Sequence, residues 1–213
     1  MEKYKGYTIE IVPEEYPTSP REWDNLGTMV CFHNRYDLGD KHEFKSNDYN
    51  SWKEVAKGIE EKVGKAIIFP LYLYDHSGLR LKIGSFNGLL PQGHAEFDSG
   101  QVGFIYCTYE KACKEFGKKR MSKSLMSKVS KLLECEIETY DTYLAGGVVG
   151  YVVKNSKGEV TDSCWGYYDE TAMTDAKAIV DYNVEKEMKA KLEKTKAFIK
   201  HHVPLEARLG VIA

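Results

Sequence analysis

The segment AIIFPLYLYDHSGLRLKI, residues 66–83, decides the fold class. Residues 66–74 form a nearly continuous apolar run, which predicts a central strand buried on both faces of a sheet. Pro70 is the objection, because proline removes a hydrogen-bond donor and usually belongs at a sheet edge or a bulge. The turn-forming residues 75–78 lead into the alternating segment 79–83, so the two strands are predicted to pair as a hairpin.

Patterns on both sides of this hairpin complete the fold prediction. Alternating segments predict strands at residues 7–12, 29–33, 101–108, 148–154 and 160–167, and apolar stripes predict helices at 48–63, 110–116, 122–144 and 169–202. The order shows no βαβ alternation, so we expect an α+β protein: a mainly antiparallel sheet of about six strands, with helices packed on it and a long C-terminal helix. The predicted domains are an α+β core over residues 1–168 and a helical extension over 169–213, with a long ordered loop at 85–100.

Composition excludes several classes of protein. The 213 residues are 42% hydrophobic, which is typical of a globular domain rather than a disordered or fibrous chain. A formal net charge of −2 argues against a generally basic surface for nucleic acid. Residues 110–133 are locally basic, with eight lysines and arginines against two glutamates, which is compatible with a site for phosphate or an acidic protein. The absence of a glycine-rich cradle favours a solvated helix face instead.

Targeting, thiol and metal signals indicate the compartment. No apolar stretch follows Met1, and the longest apolar run has nine residues against the roughly 20 that a membrane helix needs. The five cysteines are widely spaced without a CxxC pair, which favours reduced thiols in a cytoplasm. No HxH or HExxH spacing occurs, so we expect neither a metal nor another cofactor. Because the longest apolar run is too short to span a bilayer, we also expect no contact with a membrane.

Polar and aromatic side chains cluster in four predicted loops. Because Asp75 ends one predicted strand and Asp98 precedes another, the two are expected to meet at one sheet edge if these strands are neighbours. The same residue types also form ordinary turns, which is the structural alternative. The candidate binding residues are Trp23, Asp24, Tyr74, Asp75, His76, Ser77, Asp98, Ser99, Gln101 and Trp165, of which Asp75, His76 and Asp98 are also candidates for acid–base catalysis.

Five segments resemble a family of mostly uncharacterised small proteins encoded by bacteriophages, prophages and plasmids. They are SPREWDNLGTM at residues 19–29, PLYLYDHSG at 70–78, DSGQVG at 98–103, ETYDTYL at 138–144 and DSCWG at 162–166. The resemblance covers roughly residues 7–168, and the long helix from residue 169 onward falls outside it. Family members commonly have Trp before DSGQVG, whereas this chain has Phe97. The resemblance implies a role in phage or mobile-element biology inside a bacterial cell.

These observations favour a binding protein over an enzyme. The leading hypothesis is a phage or mobile-element accessory protein in the host cytoplasm that inhibits bacterial antiviral defence. Its partner would be a host defence protein, such as a CRISPR nuclease, or a small nucleotide signal. One alternative is a metal-assisted hydrolase or phosphodiesterase that uses the Asp75–His76 and Asp98 loops. Another is an oligomeric interaction protein whose C-terminal helix pairs with another copy.

Overall fold

A computed structural model describes residues 1–89 and 97–208, with only the backbone of Glu206 and Arg208. Residues 90–96, within the predicted loop 85–100, lie outside this part. The α+β class is confirmed, but the described residues form eight strands in two antiparallel sheets of four rather than one sheet of about six. The chain divides into two compact units: unit 1 is Met1–Glu14 with Val149–Ala213, and unit 2 is Glu15–Val148.

Unit 2 is built on a sheet with the strand order β3-β6-β4-β5. Its elements are β3 (Thr28–Cys31), α1 (Trp52–Val63), β4 (Ala66–Asp75), β5 (Leu79–Ile83), β6 (Ser99–Thr108), α2 (Tyr109–Glu115) and α3 (Lys123–Leu144), with 3-10 turns at Pro20–Glu22 and Ser46–Asp48. Each helix begins after a residue that suits an N-cap: the hydroxyls of Ser51, Thr108 and Ser122 accept hydrogen bonds from backbone N–H groups of the first turns of α1, α2 and α3.

Strand β4 is central in spite of Pro70. The carbonyl oxygen of Pro70 accepts a hydrogen bond from the N–H of Gly84 at 2.9 Å. Because the N–H and C=O of one residue point to the same side in an antiparallel ladder, the missing donor faces the β5 side. Strand β5 has ended there, at Ile83 opposite Leu71. The proline therefore costs no hydrogen bond between β4 and β6.

Helices cover both faces of the unit 2 sheet. Neighbouring residues of β6 point to opposite faces, so Ile105 packs in the cluster that includes α3, and Phe104 packs with Val55 and Ile59 of α1. Close packing of β6 on β3 depends on Gly103, where a Cβ would lie 2.0 Å from the carbonyl oxygen of Val30. The buried positions of α3 follow the helical period: Leu125, Val129, Leu133, Ile137 and Tyr140.

Unit 1 joins residues 2–13 and residues 149–167 in one sheet, ordered β1-β2-β7-β8. Its elements are β1 (Glu2–Tyr4), β2 (Tyr7–Pro13), β7 (Val149–Lys154), β8 (Val160–Tyr167), α4 (Ala172–His202) and α5 (Leu205–Arg208). The first part of α4 buries Ala172, Ala176 and Val180, the last two of them in a cluster with Tyr7 and Tyr151. The boundary predicted between residues 168 and 169 thus lies inside unit 1.

Tyr151 is buried in the core of unit 1. Burial raises the pKa of the Tyr151 phenol to about 12, helped by the hydrogen bond that its hydroxyl donates to Asp162 at 3.0 Å. Over the described ranges, no helix combines the length and the apolar character needed to cross a lipid bilayer.

Candidate functional site

Unit 2 contains an open cleft of about 890 Å³, which we call the Trp23 cleft. It lies between the segment around residues 19–28, the segment at 35–41 and the last turns of α3. Its volume falls within the range of about 300–1,000 Å³ that is typical of ligand pockets. Two of the predicted site residues, Trp23 and Asp24, line it.

Arg21 forms the floor of the Trp23 cleft. Ser19 caps the 3-10 turn Pro20–Glu22, and this turn directs the guanidinium inward, where only 6% of the side chain is exposed. The guanidinium donates to both carboxylate oxygens of Asp40, at 2.9 and 2.6 Å, and to Glu136 at 3.2 Å. Burial opposes the charge, but the two carboxylates outweigh it, so the pKa of Arg21 is raised above its ordinary value.

The two carboxylates also hold backbone in place. Glu136 accepts hydrogen bonds from the N–H groups of Leu26 and Gly27, at 2.7 and 3.1 Å, and Asp40 accepts one from Met29 at 2.8 Å. Gly27 permits this close approach, because a Cβ there would lie 2.6 Å from atoms of Ile105 and Leu133. The segment that carries Trp23 is therefore fixed to α3 by charged hydrogen bonds. Such a floor is preorganised, and binding to it costs less ordering entropy.

The rim of the Trp23 cleft is aromatic. The side chain of Trp23 is 47% exposed. Tyr36 stacks on His33, with the ring centroids 5.0 Å apart, and the guanidinium of Arg35 lies 5.4 Å from the centre of the Tyr36 ring. Tyr143, near the end of α3, also lines the cleft. Partly exposed aromatic rings with a polar edge are the residue types that supply most binding energy at protein interfaces.

A second group of predicted residues meets at the ends of β4 and β6. The backbone N–H of Asp75 donates to the carbonyl oxygen of Asp98 at 2.9 Å, and His76 Nδ1 lies 3.2 Å from an Asp98 carboxylate oxygen. The ring of Tyr74 lies 6.0 Å from that of His76. Strands β4 and β6 are neighbours in the sheet, and this adjacency, which the sequence left as a condition, brings Asp75, His76 and Asp98 together.

The two groups are connected through the segment at residues 35–36. The Asp75 carboxylate forms an ion pair with Arg35 and accepts a hydrogen bond from the hydroxyl of Tyr36 at 3.4 Å. Arg35 and Tyr36 both line the Trp23 cleft. Asp75 thus helps to position two cleft side chains, while its charge is balanced by a guanidinium.

The remaining predicted residues contribute less to this geometry. Gln101 donates to the carbonyl oxygen of its own strand at Gly103, 3.3 Å away. Ser77 lies exposed in the turn between β4 and β5, and Ser99 is paired in register with Tyr74. Trp165 belongs to unit 1, where its indole lies over Gly150, and is 46% exposed. The basic segment at 110–133 includes lysines that contact their own chain.

Sequence reasoning missed Glu136, although the chain does contain a signal for it. The interval of seven residues from the buried Val129 places Glu136 on the apolar stripe of α3, where a carboxylate needs a buried partner. Asp141 follows Ile137 by four residues and behaves in the same way, accepting a hydrogen bond from the N–H of Leu81 at 2.6 Å. A carboxylate on the otherwise apolar stripe of a helix thus indicates a side chain that accepts hydrogen bonds from another segment of the chain.

Charged groups lining the Trp23 cleft are balanced in number. Four cations, Arg21, Arg35, Lys41 and Lys111, face four carboxylates, Glu22, Asp24, Asp37 and Asp40. Three of the cations are engaged within the chain, Arg21 and Arg35 in ion pairs and Lys111 with the carbonyl oxygen of Asn25 at 2.7 Å. Within the ranges that the structure describes, no group of three His, Cys, Asp or Glu residues has metal-binding geometry.

Comparisons with protein-family models, curated proteins and solved structures returned no match to this chain. The resemblance to proteins of phages, prophages and plasmids therefore stays a prediction.

Proposed function

We propose that this chain is a binding protein whose Trp23 cleft engages a host protein. It would act in the bacterial cytoplasm as an accessory protein of a phage or mobile element that inhibits antiviral defence. The observation that carries the binding role is an exposed tryptophan beside a floor of partly buried, charged hydrogen bonds around Arg21. A rigid aromatic anchor of this kind is typical of the centre of a protein interface. The phage setting is supported by the resemblance of the five sequence segments.

Charge favours a protein partner over a nucleotide signal. A nucleotide would bring several negative charges, and a phosphate site is normally built from uncompensated cations or a helix N-terminus. In the Trp23 cleft the guanidiniums of Arg21 and Arg35 are already paired with carboxylates, and Asp24 and Asp37 add negative charge. A protein surface of mixed charge complements such a lining, whereas a polyphosphate does not.

Phage plating tests the proposed role. Bacteria that carry a defence system based on an RNA-guided nuclease are made to express the chain, its Trp23→Ala variant or its Trp165→Ala variant. We expect wild type and Trp165→Ala to restore plating of a targeted phage, and Trp23→Ala to fail. Trp165 is a matched control, since the exposed fractions of the two tryptophans are 46% and 47%. No rescue across a panel of defence systems, or equal rescue by all three chains, would contradict the proposal.

The His76–Asp98 pair favours a second candidate function, hydrolysis with His76 as general base. A carboxylate at 3.2 Å from Nδ1 is the arrangement that orients an imidazole for proton transfer. The ion pair between Arg35 and Asp75 argues against a metal ion on the Asp75 carboxylate, because the guanidinium repels a cation. The variant His76→Ala separates the two functions: loss of rescue with an unchanged thermal unfolding midpoint would support hydrolysis, and full rescue would exclude it.

A further inference from the structure

Unit 2 contains a second cavity of about 340 Å³, which we call the Trp52 pocket. It lies at the start of α1, and no described residue lines both this pocket and the Trp23 cleft. Its volume is near the lower end of the range for ligand pockets, which suits a small ligand. The lining includes Phe32, Asn34, Ser46, Tyr49, Asn50 and Trp52.

Aromatic rings form the apolar wall of the Trp52 pocket. The rings of Phe32 and Trp52 are neighbours, with their centroids 6.2 Å apart and an angle of 39° between their planes. Phe104, in the core, contacts Trp52 edge to face at 6.0 Å. Tyr49 packs on the backbone of α1 at Gly58, where a Cβ would lie 2.6 Å from the tyrosine ring. The wall is thus held in place before a ligand arrives, which lowers the entropic cost of binding.

Neutral polar groups accompany this wall. Within residues 1–89 and 97–208, three lining side chains make no hydrogen bond: the amide of Asn34, the hydroxyl of Ser46 and the indole N–H of Trp52. Ser51 differ from these, since its hydroxyl accepts a hydrogen bond from the N–H of Glu54 at 3.3 Å as the N-cap of α1. The pocket therefore offers free neutral donors and acceptors, while this first-turn N–H is already bonded.

The chemistry of the lining defines the class of ligand. Every described residue that lines the Trp52 pocket is uncharged. An ionised group would lose its hydration there without gaining an ion pair, so the ligand should be neutral where it contacts the pocket. The aromatic wall favours a flat ring, because stacking on aromatic side chains supplies affinity for any nucleobase. The Asn34 amide carries a donor and an acceptor side by side, which matches the edge of a base.

A sugar fits this lining less well than a nucleobase does. Sugar hydroxyls are strongly hydrated, and charged acceptors form the stronger hydrogen bonds that compete with water. In the part of the chain that the structure describes, no carboxylate lines the Trp52 pocket. A heteroaromatic base instead gains from stacking, which does not require a charged partner.

We propose that the Trp52 pocket binds a neutral nucleobase, stacked on Trp52 and hydrogen-bonded to Asn34. The base comes from a free nucleoside or from an unpaired position of single-stranded RNA. This site is separate from the Trp23 cleft, so it does not depend on the function proposed for that cleft.

Nuclear magnetic resonance of the isotope-labelled full chain tests this proposal. Its three tryptophans give three indole N–H signals, and the signal lost in Trp52→Phe identifies Trp52. We expect at least one of adenosine, guanosine, cytidine and uridine to shift the Trp52 signal saturably, and methyl glucoside to leave it in place. Tighter binding of a single-stranded RNA hexamer of the same base would identify RNA as the source, and equal binding a free nucleoside. No saturable shift with any nucleoside, a shift of Trp23 alone, or a shift with the glucoside alone would overturn the proposal.

Two asparagine variants test the position of the base. Asn34→Ala should weaken nucleoside binding by about three- to tenfold, because a neutral hydrogen bond is lost. Asn47→Ala is the matched control and should bind as wild type does, since Asn47 is also exposed and lies near the pocket but does not line it. Thermal unfolding midpoints equal to that of wild type show that both variants fold. Equal affinities of the two variants would place the base elsewhere and overturn the proposal.

Discussion

Replacement of Arg21 by alanine should destabilise unit 2 more than any change to its surface ion pairs. The substitution leaves Asp40 and Glu136 without their guanidinium while their side chains are only 22% and 15% exposed. Removing one partner of a buried ion pair typically costs about 3–5 kcal/mol. Both carboxylates retain backbone N–H partners, so we expect the lower end, about 3 kcal/mol. Because the free energy of unfolding typically falls by about 1–3 kcal/mol per molar urea, the urea midpoint of unfolding should fall by about 1–3 M.

Urea unfolding followed by tryptophan fluorescence measures this change. The chain has three tryptophans, so a background with Trp165→Phe leaves Trp23 and Trp52, both in unit 2, as the reporters. The matched control is Lys57→Ala, which removes an exposed ion pair with Glu61 and should cost less than about 0.5 kcal/mol. If Arg21→Ala unfolds at the same urea concentration as Lys57→Ala, the Arg21 network does not hold the floor of the cleft.

Three further predictions concern strand packing, titration and thiol reactivity. Gly103→Ala should lower the free energy of unfolding by about 1–3 kcal/mol, as overpacking does. Gly100→Ala is the control in the same strand: a Cβ there meets open space, so this variant should lose less stability. Equal urea midpoints of the two variants would refute the prediction. The folded pKa of Tyr151, about 12, exceeds the ordinary value of 10.0, so its stabilising effect is complete below about pH 10 and is lost as the pH rises towards 12. Tyr151→Phe should therefore lose less stability than wild type over that pH range, which alkaline unfolding curves would show. Burial raises the pKa of the Cys31 thiol to about 12. A thiol reagent should therefore label the exposed Cys164 in the native protein, and Cys31 only after unfolding. Mass spectrometry identifies the labelled cysteines.

Local patterns in the sequence predicted individual elements well. Residues 79–83 alternate cleanly and form β5 with these same bounds, and the apolar stripe at 122–144 became α3. Pro70 argues against a central strand, but the structure accommodates it because β5 ends one residue before the missing donor would be needed. The three-residue strand β1 carries too short a pattern to be recognised.

Long-range pairing explains what the sequence could not show. Strand β2 pairs with β7, with Ile9 opposite Val153, and alternation within a strand does not reveal which distant strand it joins. The division into two sheets follows from this pairing. In the same way, Asp75 and Asp98 could be placed together by supposing that their strands are neighbours, whereas the Arg21–Glu136 contact joins residues 115 positions apart and depends on the whole of unit 2.

The central claim is that the Trp23 cleft binds a host protein, and an affinity comparison tests it most directly. A partner captured from bacterial lysate by the wild-type chain is purified and titrated calorimetrically against wild type, Trp23→Ala and Trp165→Ala. Truncation of a central aromatic anchor typically costs 2 kcal/mol or more, so Trp23→Ala should bind at least about 30-fold more weakly. Trp165→Ala should match wild type. Equal affinities of wild type and Trp23→Ala would contradict the claim.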